Sequence, residues 1–254
     1  MVFARKRFGQ NFLQDNLVIE RIVHAIQAKP QETVIEIGPG RGALTQVLLK
    51  QLSKLVVIEI DNDLFDQLQY LPNAERLIAI HSDVLNVDFN QFGDHLKIVG
   101  NLPYNISTPL MFHLLQYRSV IHEMVFMLQA EVVERIMALP SSSEYGRLSV
   151  MFQYYCDLEK IIDVPPECFQ PVPKVMSAVI ALKPKKQHEQ VAFNCLEYVV
   201  SKAFAMRRKT LANNFKGILT AHDWDHIGIS NQLRAQDLSI ENFVNIAVYL
   251  SKFD

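Results

Sequence analysis

The segment GNLPYNIS, residues 100–107, combines residue types that could act on the amine of a nucleobase. A tight turn after a buried strand explains its glycine, asparagine and proline, but does not explain Tyr104. The Asn101 side-chain oxygen and the Leu102 carbonyl could both accept hydrogen bonds from an adenine amine and hold its nitrogen in a more nucleophilic geometry. They would also stabilise positive charge as it develops there. Tyr104 could stack on the base, and Pro103 stiffens the turn.

A glycine-rich turn, EIGPGRG at residues 36–42, follows one strand pattern and opens a helix pattern. Open α/β sheets bind ligands at the carboxyl ends of their strands, and glycines such as Gly38 and Gly40 let the backbone approach a ligand closely. No Gly-Lys-Ser/Thr follows, which excludes a phosphate-binding P-loop. The turn alone is also compatible with an ordinary tight connection.

Acidic residues end the next two predicted strands. Glu59 lies 21 residues after Gly38, where a carboxylate can accept hydrogen bonds from both hydroxyls of a ribose. Asp83 ends the third strand and can accept a hydrogen bond from an adenine amine. Either residue alone could be a surface carboxylate, but three such strand ends together favour a cofactor that contains adenosine.

The identity of that cofactor depends on Glu36, just before the glycines. A carboxylate there would repel the pyrophosphate of NAD, whereas it would attract the ammonium group of S-adenosylmethionine. We therefore expect S-adenosylmethionine. Its sulfonium methyl is already activated, so the protein must chiefly align an electron pair with it. No metal is expected, since His222 and His226 lack the glutamate of a zinc-protease motif.

The elements that must position these residues alternate between strand and helix patterns up to residue 140. Strands are predicted over 33–38, 54–61, 76–83, 96–100 and 123–129, and helices over 17–28, 42–52, 62–71, 107–117 and 130–139. This alternation predicts an α/β fold, a Rossmann-like domain whose mostly parallel sheet carries helices on both faces.

A different pattern follows residue 140. Residues 153–164 and 175–184 are strand-like and predict an antiparallel pair, joined by a proline-rich connection. Phe169 in this connection could be core or, equally, a second stacking face for a flipped base. The chain then becomes helical, so we predict one domain over residues 1–184 and a small all-helical domain over 185–254.

Composition narrows the class of protein. The 254 residues are 49% hydrophobic, enough for a sizeable core, with no apolar run long enough to span a bilayer. The basic start lacks the apolar segment of a secretory signal, and the three cysteines are widely spaced and odd in number. These features predict a protein of the reducing cytoplasm, without a membrane partner.

Basic residues are clustered although the net charge is −2. The clusters lie at residues 4–8, 183–186 and 206–209, and residues 183–254 carry ten Lys and Arg against seven Asp and Glu. Each cluster alone fits a solvated surface, whereas the three together suggest contacts with a phosphate backbone.

Several segments together resemble one family: FGQNFL, EIGPGRGALT, VIEID, GNLPYNIS and FQPVPKV. They look like the KsgA family of small-subunit ribosomal RNA adenine dimethyltransferases, over a range from about Arg5 to the C-terminus. The resemblance implies a Rossmann-like methyltransferase domain, a helical C-terminal domain, and dimethylation of two adjacent adenosines near the 3′ end of the small-subunit RNA. One departure is Met176, where the family pattern leads us to expect an aspartate.

The resemblance and the residue patterns together define three sets of site residues. The expected cofactor-binding residues are Gln10, Asn11, Leu13, Glu36, Gly38, Gly40, Glu59, Ile60, Asp83, Val84 and Asn101. The expected catalytic residues, around the target base, are Asn101, Leu102, Pro103, Tyr104 and Phe169. The expected RNA-binding residues are Arg5, Lys6, Arg7, Lys174, Arg207, Arg208 and Lys209.

We therefore predict a monomeric, S-adenosylmethionine-dependent enzyme that modifies small-subunit ribosomal RNA within an assembling particle. The alternatives are a large-subunit adenine methylase, an NAD dehydrogenase, and a non-catalytic ribosome-assembly or transcription factor on the same scaffold. Glu36 and the lack of a hydride-transfer constellation disfavour the dehydrogenase. The complete NLPY segment disfavours loss of catalysis.

Overall fold

The computed structural model describes residues 10–186 and 190–252. The chain separates into two compact units, which we call the first unit (Met1–Val133 with Leu158–Pro184) and the second unit (Glu134–Asp157 with Lys185–Asp254). The strands are β1 (Phe12–Leu13), β2 (Val34–Ile37), β3 (Leu55–Glu59), β4 (Leu77–His81), β5 (Leu96–Asn101), β6 (Ile121–Gln129), β7 (Cys156–Val164), β8 (Phe169–Gln170) and β9 (Ser177–Pro184). The helices are α1 (Asn16–Ile26), α2 (Ala43–Leu48), α3 (Asn62–Leu68), α4 (Ser107–Gln116), α5 (Ala130–Met137), α6 (Arg147–Tyr155), α7 (Phe193–Ala203), α8 (Leu211–Asn214), α9 (Ala221–Ile227) and α10 (Ile240–Leu250).

One seven-stranded sheet organises the chain, in the order β4-β3-β2-β5-β6-β9-β7. The strands from β4 to β6 pair in parallel, whereas β9 pairs antiparallel with β6. The predicted fold class, a mostly parallel sheet with an antiparallel addition and a helical C-terminal region, is confirmed.

The central strands are apolar because both faces of the sheet are covered. Every residue of β2 and β3 is buried, as expected for parallel strands between two helical layers. Helix α1 contributes one apolar face, formed by Val18, Ile19, Ile22, Val23 and Ile26, and the Asp15 side chain caps its N-terminus. The switch point of the sheet lies at β2, with β3 on one side and β5 on the other, where ligands of open α/β sheets bind.

The second unit is built around an aromatic cluster. The rings of Phe204 and Phe243 stack with centroids 5.7 Å apart, and Tyr145 meets Phe204 edge-on at 6.1 Å. All three helices that include or flank these residues carry buried apolar faces. Apart from the isolated bridge between Thr210 and Arg234, the described part of residues 190–252 contains helices and turns, as the sequence pattern predicts.

Two sequence expectations differ from the structure. Residues 153–155 form the last turn of α6 rather than the start of a strand, and β7 begins at Cys156. The chain passes between the units at Pro184, where the predicted domain boundary lies, but residues 134–157 group with the second unit. The pattern of apolar residues could not predict this grouping of residues 134–157, because it does not show which distant segment α6 packs against.

Within the two described ranges, no helix has the length and hydropathy needed to cross a membrane.

Candidate active site

A cavity of about 600 Å³ opens in the first unit at the carboxyl ends of β2, β3 and β5. Its walls come from the glycine turn, the ends of these strands, the segment after β4 and the N-terminal segment 10–14. All eleven residues predicted to bind the cofactor line this cavity, together with Leu102, Pro103 and Tyr104. Phe169 does not line it. The structure thus brings both predicted sets to one place, apart from that residue.

The glycine turn leaves open space beside its backbone at Gly38. Gly38 donates its backbone N–H to the Ile58 carbonyl at 2.9 Å, which holds the turn against β3. Its φ of +63° lies in the left-handed region, and a Cβ built there would meet no atom within 4 Å. The backbone conformation therefore selects glycine, and the open space belongs to the cavity.

Glu36 is a buried carboxylate on the cavity wall, only 2% exposed. Thr45 on α2 donates its hydroxyl to Glu36 Oε2 at 2.7 Å. Burial raises the pKa of Glu36 to about 7; the Thr45 hydrogen bond opposes this rise and repulsion from Glu59 adds to it. No cationic side chain of the described residues pairs with Glu36. A ligand ammonium group would supply the missing charge.

Glu59, at the end of β3, is held by backbone N–H groups. Its Oε1 accepts from Ile60 and Asp61, both at 2.9 Å, and its Oε2 accepts from Gly40 at 3.3 Å. Burial nevertheless raises the pKa of Glu59, because desolvation outweighs the three hydrogen bonds. Because the hydrogen bond from Gly40 is the longest of the three, Oε2 is the oxygen better able to accept hydrogen bonds from ribose hydroxyls.

Asp83 follows β4 and is oriented by the turn that it caps. Its Oδ1 accepts the Leu85 N–H at 3.0 Å, at the start of a short 3-10 turn over Val84–Asn86. The side chain is half-buried and lines the cavity. This cap holds the carboxylate at the cavity wall.

The N-terminal segment is tied to the cavity by side-chain contacts. Gln10 donates to Asp61 Oδ2 at 3.3 Å, and the Arg41 guanidinium lies 4.4 Å from the centroid of the Phe12 ring. Strand β1 pairs antiparallel with β8, which places Phe12 and Leu13 beside residues from the opposite end of the first unit. Sequence reasoning identified neither Phe12 as part of this wall nor Asp61 as the residue that holds Gln10.

Close packing at the end of β5 explains why a glycine precedes Asn101. A Cβ at Gly100 would lie 2.5 Å from the Ile37 carbonyl oxygen of the neighbouring strand, so no larger residue fits. Asn101 donates its Nδ2 to the Asn11 carbonyl at 2.9 Å, which turns its Oδ1 into the available acceptor. Leu102 is anchored by its N–H to the Met127 carbonyl at 3.1 Å. Hydrogen bonds therefore hold the turn at both residues, and Asn101 lines the cavity with its Oδ1 still able to accept.

Tyr104 lines the cavity, and a residue from a distant part of the chain anchors its hydroxyl. The Oη lies 2.6 Å from Oγ of Ser177, the first residue of β9. Burial raises the pKa of Tyr104, so the phenol stays neutral near neutral pH. The sequence did not predict a role for Ser177, because no local signal links two residues 73 positions apart.

Phe169 corrects one expectation. It is 2% exposed, part of the hydrophobic core, and its strand pairs Phe169 with Leu13. This long-range pairing buries the ring, so the structure assigns it to the core and not to a base-stacking face.

The predicted RNA-binding residues differ in the hydrogen bonds that their side chains make. Arg208, Lys209 and Lys174 are exposed. Arg207 is exposed too, but its guanidinium donates to the carbonyl oxygens of Ser143 and Tyr145. The remaining three, Arg5, Lys6 and Arg7, lie outside the described residues.

Met176, the departure from the family pattern, has a 42% exposed side chain. Its carbonyl accepts the Ala130 N–H at 2.9 Å. Because that contact uses the backbone, it does not depend on the residue type at 176.

Comparison with known proteins identifies relatives over the whole chain. The family described as ribosomal RNA adenine dimethylase matches residues 1–252. A protein of Legionella pneumophila (strain Corby) named ribosomal RNA small subunit methyltransferase A is 52% identical over 250 residues, covering 97% of this chain and 98% of its own. A protein of the same name from Dechloromonas aromatica is 50% identical, covering 98% of both chains.

Solved structures agree with these relatives in fold. A dimethyladenosine transferase from Plasmodium falciparum superposes with a TM-score of 0.82 at 25% identity, over 95% of this chain and 98% of that one. The 23S rRNA methyltransferase ErmE superposes with a TM-score of 0.71 at 23% identity, over 95% of this chain and all of that one.

Proposed function

The chain belongs to the ribosomal RNA adenine dimethylase family, and from this premise we propose that it transfers methyl groups from S-adenosylmethionine to two adjacent adenosines near the 3′ end of small-subunit (16S) ribosomal RNA. The acceptor atoms are the exocyclic amine nitrogens, and the products are dimethyladenosines. The family membership confirms the resemblance found in the sequence motifs.

One observation carries the proposal. The Asn101 amide is fixed by Asn11 so that its Oδ1 can accept, in the same cavity as the buried carboxylates Glu36 and Glu59. An acceptor for an amine and two carboxylates for a cationic adenosine cofactor are what methylation of adenine requires.

The cavity residues fit S-adenosylmethionine by their chemistry. Glu36, buried and without a cationic partner among the described residues, suits the ammonium group of the methionine moiety. Glu59 and Asp83 offer carboxylate oxygens for the ribose and the adenine amine, and the open space beside Gly38 admits the ligand. The exposed side chain of Ile60 and the buried Val84 offer apolar contacts beside them.

S-adenosylmethionine, when bound, supplies an activated methyl group. Asn101 Oδ1 and the Leu102 carbonyl accept hydrogen bonds from the amine of the target adenine and stabilise charge as its nitrogen becomes positive. Tyr104 stacks on the base, which positions the nitrogen for an in-line approach. The anchored turn holds these groups in place before the substrate arrives.

The RNA substrate is held mainly through its phosphates. Lys174, Arg208 and Lys209 are exposed cations available for such contacts, which position a substrate without reading its sequence. We place the protein in ribosome biogenesis, as a cytoplasmic monomer that acts on an assembling small-subunit particle. The names of the relatives at 50–52% identity favour the small subunit over the large one.

The test is methyl transfer to small ribosomal subunits that lack the modification, with the product nucleoside identified by mass. We expect dimethyladenosine at two adjacent positions, and roughly a hundredfold slower formation of it with Asn101→Ala. Large subunits serve as the control substrate. Methylation of the large subunit alone, or binding to small subunits without any methyl transfer, would contradict the proposal and favour the corresponding alternative.

A further inference from the structure

The hydroxyl of Tyr104 is hydrogen-bonded to a residue of the central sheet. Ser177 Oγ, 2.6 Å from Tyr104 Oη, belongs to a residue that is completely buried. Ser177 pairs with Gln129 of β6 in the antiparallel ladder, and the next contact, from Ala130 N–H to the Met176 carbonyl, measures 2.9 Å. The anchor is therefore part of the sheet and not of a loose loop.

The other end of the tyrosine is fixed as well. Ser107 donates its hydroxyl to the Tyr104 carbonyl at 3.2 Å, and the Ile106 N–H donates to the Pro103 carbonyl at 3.2 Å. With its main chain held by the turn and its hydroxyl held by Ser177, the ring has little freedom to rotate. A ring of this kind presents a constant face to the cavity that it lines.

We propose that Ser177 is a positioning residue for Tyr104, an inference that rests on the proposed function. Ser177 touches neither the cavity nor the reacting atoms, since it is fully buried and absent from the cavity wall. It acts through the Tyr104 hydroxyl, which it holds so that the ring stacks on the target adenine in the orientation needed for in-line methyl transfer. A misoriented base slows methyl transfer more than it weakens RNA binding, because alignment matters at the transition state.

This role differs from simple stabilisation of the fold. A buried hydrogen bond that only stabilises would affect unfolding and leave the single-turnover rate of the folded enzyme unchanged. A positioning bond makes the effects of its two partners on that rate non-additive, because removing either hydroxyl releases the same ring.

The experiment is a double-mutant cycle of Ser177→Ala and Tyr104→Phe, measured as single-turnover methyl transfer to unmodified small subunits at saturating cofactor and RNA. Each single variant should be about three- to tenfold slower than wild type, the range that one neutral hydrogen bond represents. The double variant should be no slower than the slower single variant. Cofactor affinity, measured by calorimetry, should not change.

Ser149→Ala is the matched control. Ser149 is also fully buried and donates its hydroxyl to a main-chain carbonyl, that of Arg135, but it does not line the cavity. This variant should lose stability and keep the wild-type rate. If Ser177→Ala does not fold, Ser177→Cys keeps the volume with a weaker hydrogen-bonding group and takes its place in the cycle.

A wild-type rate in the Ser177 variant would overturn the positioning role. The role would also be overturned if the rate losses of the two single variants multiplied in the double variant. The same holds if Ser149→Ala slowed methyl transfer as much as Ser177→Ala does. Each of these results presupposes an active wild-type enzyme and leaves the proposed function standing. A wild-type protein that transfers no methyl groups would instead overturn the proposed function, and the positioning role with it.

Discussion

Protonation of Glu36 should control how tightly the protein binds S-adenosylmethionine. The carboxyl is buried and its pKa is raised to about 7, against an ordinary value of 4.5. An ammonium group placed beside it would favour the charged form and return the pKa towards the ordinary value. Cofactor binding should therefore release a proton from Glu36.

The size of the effect follows from these two pKa values. Lowering the pH from about 7 to about 5.5 should weaken cofactor affinity by roughly tenfold or slightly more, because one pKa unit corresponds to about 1.4 kcal/mol. At about pH 7, roughly half a proton should be released for each cofactor bound. Calorimetric titration in two buffers of different ionisation enthalpy measures both quantities.

The titration of Glu36 does not itself destabilise the fold in this pH window. Because the folded-state pKa of Glu36 lies above the unfolded value of 4.5, its contribution to stability is fully present below that value and is lost as the pH rises through about 7. Acidification across the window thus weakens binding while Glu36 itself favours the folded state.

Glu36→Gln is the control, since its amide oxygen can still accept from Thr45 but cannot titrate. In this variant the affinity should be lower near neutral pH and should lose the part of the pH dependence and of the proton release that comes from Glu36, which leaves only the contribution of Glu59. A wild-type affinity that stays constant between about pH 5.5 and 7 would refute the reasoning, because Glu36 would then be ionised before the cofactor arrives.

Three further predictions concern single features of the site and the RNA contacts. Glu59→Ala should weaken cofactor affinity by on the order of 2–3 kcal/mol without unfolding the protein, and unchanged affinity in calorimetry would contradict the ribose contact. Asn101→Ala should slow single-turnover methyl transfer roughly a hundredfold with little change in RNA binding. Partial activity of Asn101→Asp would support the role of Asn101 as a hydrogen-bond acceptor. A wild-type rate for Asn101→Ala would mean that the residue serves only to form the turn. Replacing Arg208 and Lys209 with alanine should weaken binding to the small subunit and flatten its salt dependence, while cofactor affinity stays the same. Arg207 is left intact there because it bonds to main-chain carbonyls, and an unchanged salt slope would mean that the other two form a merely solvated surface.

Local patterns in the sequence were sufficient for the sheet and for most of the site. Alternating strand and helix patterns predicted the parallel sheet, and residues at strand ends could be placed together because the carboxyl ends of neighbouring parallel strands meet at one edge. Glu36, Glu59 and Asn101 were found in this way, and all of them line the cavity. The position of a residue at a strand end follows from the strand itself and does not depend on how distant segments pack.

Contacts between distant segments were decided only by the tertiary structure. Phe169 became a core residue because β8 pairs with β1, more than 150 residues earlier, and its proline-rich neighbourhood held no sign of that partner. The contact between Ser177 and Tyr104, 73 positions apart, and the grouping of residues 134–157 with the second unit also depend on distant segments. Periodicity records which face of an element is buried, whereas the partner that buries it depends on the register and packing of segments far apart in the chain.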